Sequence, residues 1–183
     1  MKKSVKWILI IVVSLVVILY VSLRVLMYQT KSHSPEEIIT YTENGSELSV
    51  YYNRPYKKGR KVFGKLVPYN EVWRTGANEA TTFSTAKDLK IGNDVLPKGT
   101  YTLWTIPGKK EWAVIFNSKE YGWGVRMKDG KPSREAEFDV LKYISPVEKN
   151  NEVVEQFTIR FQGEPNVEML IEWDKIRVSV PLH

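Results

Sequence analysis

The chain has 183 residues, a formal net charge of +6, two histidines and no cysteine. That length has room for one membrane segment and one ordinary domain. The missing cysteine excludes a disulfide framework, a thiolate nucleophile and thiolate-bound zinc. His33 and His183 as the only histidines argue against a Ser-His or Cys-His catalytic arrangement inside the domain and exclude a multi-histidine metal site in a single chain. The charge is a poor guide to nucleic acid, because five cations and no acid lie in residues 1–31, leaving only +1 for the rest. A near-neutral domain offers no electrostatic footprint for DNA or RNA.

Residues 1–6 carry Lys2, Lys3 and Lys6. "WILIIVVSLVVILYVSL" (7–23) follows, uncharged and free of proline, about 25 Å long as a helix. Continuing through Arg24 to Tyr28 brings it to a full crossing of a hydrocarbon core of about 30 Å, with Arg24 reaching for the interface and Trp7 and Tyr28 as anchors. The alternative is a cleaved signal peptide, but the apolar run is long for one and no small-x-small site follows. The segment reads as an uncleaved single-pass transmembrane anchor over 7–28. Three lysines before it, against Arg24 and Lys31 after it, favour a cytoplasmic N-terminus and an extracytoplasmic, periplasmic C-terminal domain.

Residues 29–45 read as a juxtamembrane stalk, in which Pro35-Glu36-Glu37 could start one helical turn and Asn44-Gly45 marks a turn. From 46 to 183 the pattern is that of a sheet. Leu48, Val50 and Tyr52 alternate with polar residues, as do Phe157, Ile159 and Phe161, and Ile176, Val178 and Val180. "TYTLWTI" (100–106) and "EWAVIFN" (111–117) are apolar on both faces and belong near a sheet centre, with the 106–111 turn between them. "MLIEW" followed by "IRVSV" reads as a closing hairpin with Trp173 in the core. Short strands and tight turns without helices predict an all-β fold: an antiparallel β-sandwich or open barrel.

Two stretches carry candidate chemistry. "RPYKKGR" (54–60) puts Arg54, Lys58 and Arg60 beside a turn glycine, where they could hold a phosphate or carboxylate; the alternative is a solvated loop with surface ion pairs. "VWRTGANEATT" (72–82) places Arg74, Asn78 and Glu79 around Gly76. Successive N–H groups near such a glycine can form an anion nest, and Arg74 could add a guanidinium fork. The alternative here is structural, with Arg74 paired to Glu79 and Asn78 bonded to its own backbone. No dinucleotide fingerprint, P-loop or HExxH occurs, so no cofactor or metal is indicated.

The string "YNRPYKKGRKVFGKLVPYNEVWRTGANEATT", with "LPKGTYTLWTIPGKKEWAVIFN" and "KIRVSVP", resembles the bacterial domain-of-unknown-function family 2911 over residues 46–181. The resemblance implies an exported β-rich envelope protein with its signature at 54–80, and brings no established activity, substrate or catalytic residue. The expected function is membrane-anchored binding of a small polar or anionic ligand, or an envelope glycan, through Arg54, Lys58, Arg60, Arg74, Asn78 and Glu79. Two alternatives stand beside it. One is a carboxylate-dependent hydrolase using Glu79 with a second acid; the other is a structural or protein-interaction module.

Overall fold

The computed structural model describes residues 3–42 and 47–183, so the expected Asn44-Gly45 turn lies outside the described residues. The chain divides into two compact units, Met1–His33 and Ser34–His183.

The first unit is a single helix, α1 (Lys3–His33), without acid in its first turn and with Lys31 and His33 in its last. Within Ser4–His33 an 18-residue stretch has a mean hydropathy of 2.8 and no burial against protein. A helix apolar on all sides needs another medium for its surface. In length and composition it suits a membrane anchor or a signal sequence.

The second unit is built almost entirely of antiparallel strands: β1 (Glu36–Tyr41), β2 (Leu48–Asn53), β3 (Thr82–Thr85), β4 (Leu89–Ile91), β5 (Asp94–Leu96), β6 (Gly99–Pro107), β7 (Glu111–Asn117), β8 (Asp139–Pro146), β9 (Glu148–Gln162) and β10 (Val167–Leu182). Six of them form one sheet in the order β1-β2-β3-β6-β7-β8, while β9 pairs with β10 and β4 with β5. The sheets do not close into a barrel. The both-sided apolar runs β6 and β7 lie inside the sheet, as expected, because both of their faces are covered. Residues 36–41 are not stalk. Pro35 starts no helical turn, and the alternation of Ile39 and Tyr41 inward with Ile38 outward makes them the edge strand β1.

The inner face of the sheet packs on the long β9–β10 hairpin. Leu48, Val50, Tyr52, Phe83, Leu103, Val114 and Phe116 meet Phe157, Ile159, Met169, Ile171, Trp173, Val178 and Val180 in one core. The expected closing hairpin between "MLIEW" and "IRVSV" is absent; both segments belong to the one strand β10. Asp174 adopts φ 55° and shifts the register on either side of itself. This bulge exchanges the faces, so odd residues point inward up to Trp173 and even ones from Val178 onward. Such a change of parity resembles a turn in sequence. The actual reversal is the 163–166 connection between β9 and β10.

The opposite, outer face is only locally covered. Trp104 and Ile115 are buried there under Ala80, Val72 and Tyr121, which come from the loops before β3 and after β7.

Candidate functional site

The 54–81 connection from β2 to β3 is fastened at three places, and this separates its charged residues. Arg54 is committed to the framework. Its Nε donates to the Phe157 carbonyl (3.1 Å), Nη1 to Glu37 Oε1 (3.0 Å) and Nη2 to Thr158 Oγ1 (2.9 Å), tying β1, β2 and β9 together. Arg60 folds back on its own loop, donating to the carbonyls of Lys57 (2.9 Å) and Tyr56 (2.6 Å). Lys57 pairs with Asp174 at 2.6 Å, so the bulge residue also anchors this loop. Lys58 donates its backbone N–H to Glu155 (2.7 Å), and its ammonium side is exposed.

Next, Phe63 and Trp73 insert into the core. Trp73 stacks on Trp173 at a 6.0 Å centroid distance and 16°, and meets Phe157 edge-on at 5.0 Å; Phe63 meets Trp112 at 5.0 Å. Offset and edge-on pairs of this kind add roughly 0.5–1.5 kcal/mol each beyond their area. The signature aromatics therefore hold the loop onto the domain.

The third fastening frames the site. Trp73 exchanges backbone hydrogen bonds with Thr105 on β6, and Thr81 returns to the same edge by accepting from the Leu103 N–H (2.8 Å). Between them, residues 74–80 leave the strand and come back. Inside this excursion three carbonyls are occupied. Gly76 O accepts from Trp73 Nε1 (3.0 Å), Thr75 O from Thr81 Oγ1 (2.7 Å) and Asn78 O from the Gly124 N–H (3.0 Å). No backbone N–H from Arg74 to Asn78 donates to a backbone carbonyl among the described residues, although Thr75, Gly76, Ala77 and Asn78 are all buried. Buried N–H groups almost always have partners, so this loop keeps donors that the backbone network does not use.

The backbone is also strained. Thr75 and Asn78 both sit at φ 55°. That region is tolerable for asparagine, but a β-branched threonine there is a genuine outlier. Thr75 is held by its Oγ1, which donates to Thr105 Oγ1 (3.2 Å). At Gly76 the constraint is space, because a Cβ would stand 2.8 Å from the Asn53 carbonyl.

Arg74 lies along the loop that follows β7. A Cβ on Gly124 would be 2.3 Å from Arg74 Cδ and 2.7 Å from its Cβ, so the arginine stem rests directly on that glycine. Its Nε is buried without a hydrogen-bond partner. Burial alone holds the guanidinium below its ordinary pKa; no carboxylate pushes it back. The structural alternative of an Arg74–Glu79 ion pair is therefore not what the fold contains. Glu79 instead accepts from Asn53 Nδ2 (3.0 Å), while Asn78 Nδ2 approaches Asn53 Oδ1 at a long 3.5 Å.

Of the six expected residues, the structure thus gathers Arg74, Asn78 and Glu79 in one excursion and spreads Arg54, Lys58 and Arg60 along the framework. Two participants went unnoticed in the sequence. Asn53 is wholly buried at the end of β2, where it reads as the last residue of a strand. Gly124 carries no signal of its own in the sequence; its part comes from its contact with the Arg74 stem. Among the described residues, no group of three or more His, Asp or Glu side chains could hold a metal. The chemistry available is electropositive recognition: a guanidinium and backbone N–H groups beside an amide–carboxylate pair.

A family model described as "Protein of unknown function (DUF2911)" matches residues 34–182. No curated protein and no solved structure matches the chain.

Proposed function

The chain belongs to the family described as protein of unknown function (DUF2911), and from that premise we propose that its β-domain binds a small anionic ligand at the 74–79 loop. In this reading α1 is an uncleaved anchor with its N-terminus in the cytoplasm, and the domain works on the extracytoplasmic side. The observation that carries the binding proposal is Arg74. A half-buried guanidinium with an unpartnered Nε and no counter-charge is expensive to keep in an empty site. A carboxylate or phosphate oxygen would satisfy it. In this reading the N–H groups of 74–78, which bond to no backbone carbonyl, would add donors to the same anion, and Asn78 with the Asn53–Glu79 pair would orient hydroxyls or amines on its far side. Arg54 and Arg60 lie outside the proposed contact set, since their N–H groups are committed to the framework. Lys58 remains a rim cation.

A thermal-shift screen of the full chain in detergent tests this, using organic acids, amino acids, phosphates and neutral sugars. A ligand at about 100 times its dissociation constant stabilises the fold by roughly 2.7 kcal/mol, a shift of several degrees for a domain of this size. The expected hits are anions, and they vanish in Arg74→Ala. Hits that persist unchanged in that variant sink the proposal.

A further inference from the structure

The outer face of the large sheet holds a second feature, lined by residues other than those of the 74–79 loop. At the end of the β6–β7 hairpin, Ile106 pairs with Ala113 and Ala113 with Ile144, forming an apolar row across three strands. This row floors an open groove of about 710 Å³, within the size range of small-ligand sites. Ile144 is 45 % exposed there. Lys109 and Lys110, both from the hairpin turn, line the groove together with Lys142, which stands on β8 opposite Ile115. The turn is tight, since a Cβ at Gly108 would meet the Glu111 carbonyl at 2.3 Å, and this fixes where its two lysines emerge. Lys109 is further held over the Tyr69 ring, 5.9 Å from the centroid. None of the three lysines forms an ion pair among the described residues, and Glu111 is the one acid lining the groove. On a domain whose sequence is almost neutral, this is a local excess of cations around a concave, apolar floor.

We propose that this groove binds a linear acidic glycan, a chain of sugar rings bearing carboxylate or phosphate groups. Lysines rise from the hairpin turn and from β8 around one floor, as a charged chain lying in a trough requires. Ile106, Ala113 and Ile144 offer the apolar surface that the C–H faces of sugar rings cover. A bilayer surface is too flat to reach such a floor. Nucleic acid would need aromatic rings for its bases to stack on, and the groove lining contains none.

The test uses the full chain in nanodiscs of neutral lipid, with binding of labelled polygalacturonate read by fluorescence anisotropy. If each lysine neutralises one charge on a flexible polyanion, the logarithmic salt slope is about 0.7 per contact. Three contacts then weaken binding about 20-fold between about 50 and 200 mM salt. The variant Lys109→Ala/Lys110→Ala/Lys142→Ala, whose changes are all on exposed side chains, loses that salt dependence and binds at least about tenfold more weakly. Arg74→Met binds the polymer as the parent does, which separates this groove from the 74–79 loop. Parent-like binding by the triple variant overturns the proposal. So does equal binding of neutral dextran, or tighter binding of an oligothymidine or of vesicles containing anionic lipid.

Discussion

Replacing Arg74 by Met separates a ligand-binding arginine from a structural one. Methionine keeps the Cβ–Cγ stem that lies on Gly124 and removes only the guanidinium. If that group were satisfied by the fold, its loss would cost about 3–5 kcal/mol, as when one partner of a buried pair is deleted. The structure shows the opposite condition: Nε is buried without a partner and burial is the only influence on the group's titration. Removing an uncompensated buried charge takes away its desolvation cost; replacing a whole buried ion pair by apolar side chains of similar volume is neutral or stabilising by about 1–4 kcal/mol, which bounds the effect for one group. Because Arg74 is only partly buried, the gain belongs near the lower end, about 1 kcal/mol, or a rise in Tm of about 2–4 °C. Calorimetry of both proteins without ligand, at matched ionic strength, measures it. An unfolding free energy lowered by about 3 kcal/mol or more in Arg74→Met would refute the reasoning, since it would mean that the fold itself uses the guanidinium.

Gly124→Ala places a methyl group within 2.3–3.0 Å of the Arg74 side-chain carbons; the expected result is a loss of about 1–3 kcal/mol together with anion binding, both read in one thermal-shift titration. Asn53→Ala takes the buried amide from Glu79 and Asn78, and urea denaturation should show a loss of about 1–3 kcal/mol. Glu172 has a pKa below its ordinary value of 4.5: burial would raise it, but hydrogen bonds from Arg160 and Arg177, both 2.8 Å long, outweigh that. A depressed folded pKa gives stability that is present above the unfolded value and lost as pH falls through the folded one. Stability of the parent should therefore drop below about pH 4.5 more steeply than that of Glu172→Gln, and equal acid slopes in a Tm–pH series would contradict the assignment.

The fold was readable where burial imposes a period. β2, the Phe157–Phe161 part of β9 and the Ile176–Val180 part of β10 announce themselves because each presents apolar side chains to a covered face at every second residue, and β6 and β7 because both of their faces are covered. Legibility failed where one residue changes the rule. Asp174 flips the parity of β10 by adopting a positive φ, and in sequence an acid between two alternating runs looks the same as a turn. β1 was mistaken for stalk because as an edge strand it alternates weakly, with Ile38 68 % exposed. The site was half legible for a related reason. Arg74, Gly76, Asn78 and Glu79 are consecutive enough to suggest a loop with a purpose. Asn53 and Gly124 reach that loop from 25 residues before Asn78 and from the far side of β7, and only tertiary packing brings them there. Conversely, the basic run at 54–60 looked like one patch, yet its arginines are spent on carbonyls and on Glu37.

The most direct test of the anion-binding account is an NMR titration of the full chain in detergent micelles, following the backbone amides of residues 74–78 at constant ionic strength. Inorganic phosphate and a simple dicarboxylate serve as probes, with a neutral sugar as control. The account predicts saturable shifts of the Thr75–Asn78 amide signals and of Arg74 Nε with at least one of the two anions, all lost in Arg74→Met. Signals that stay put with both anions, or that move equally in Arg74→Met, would contradict it.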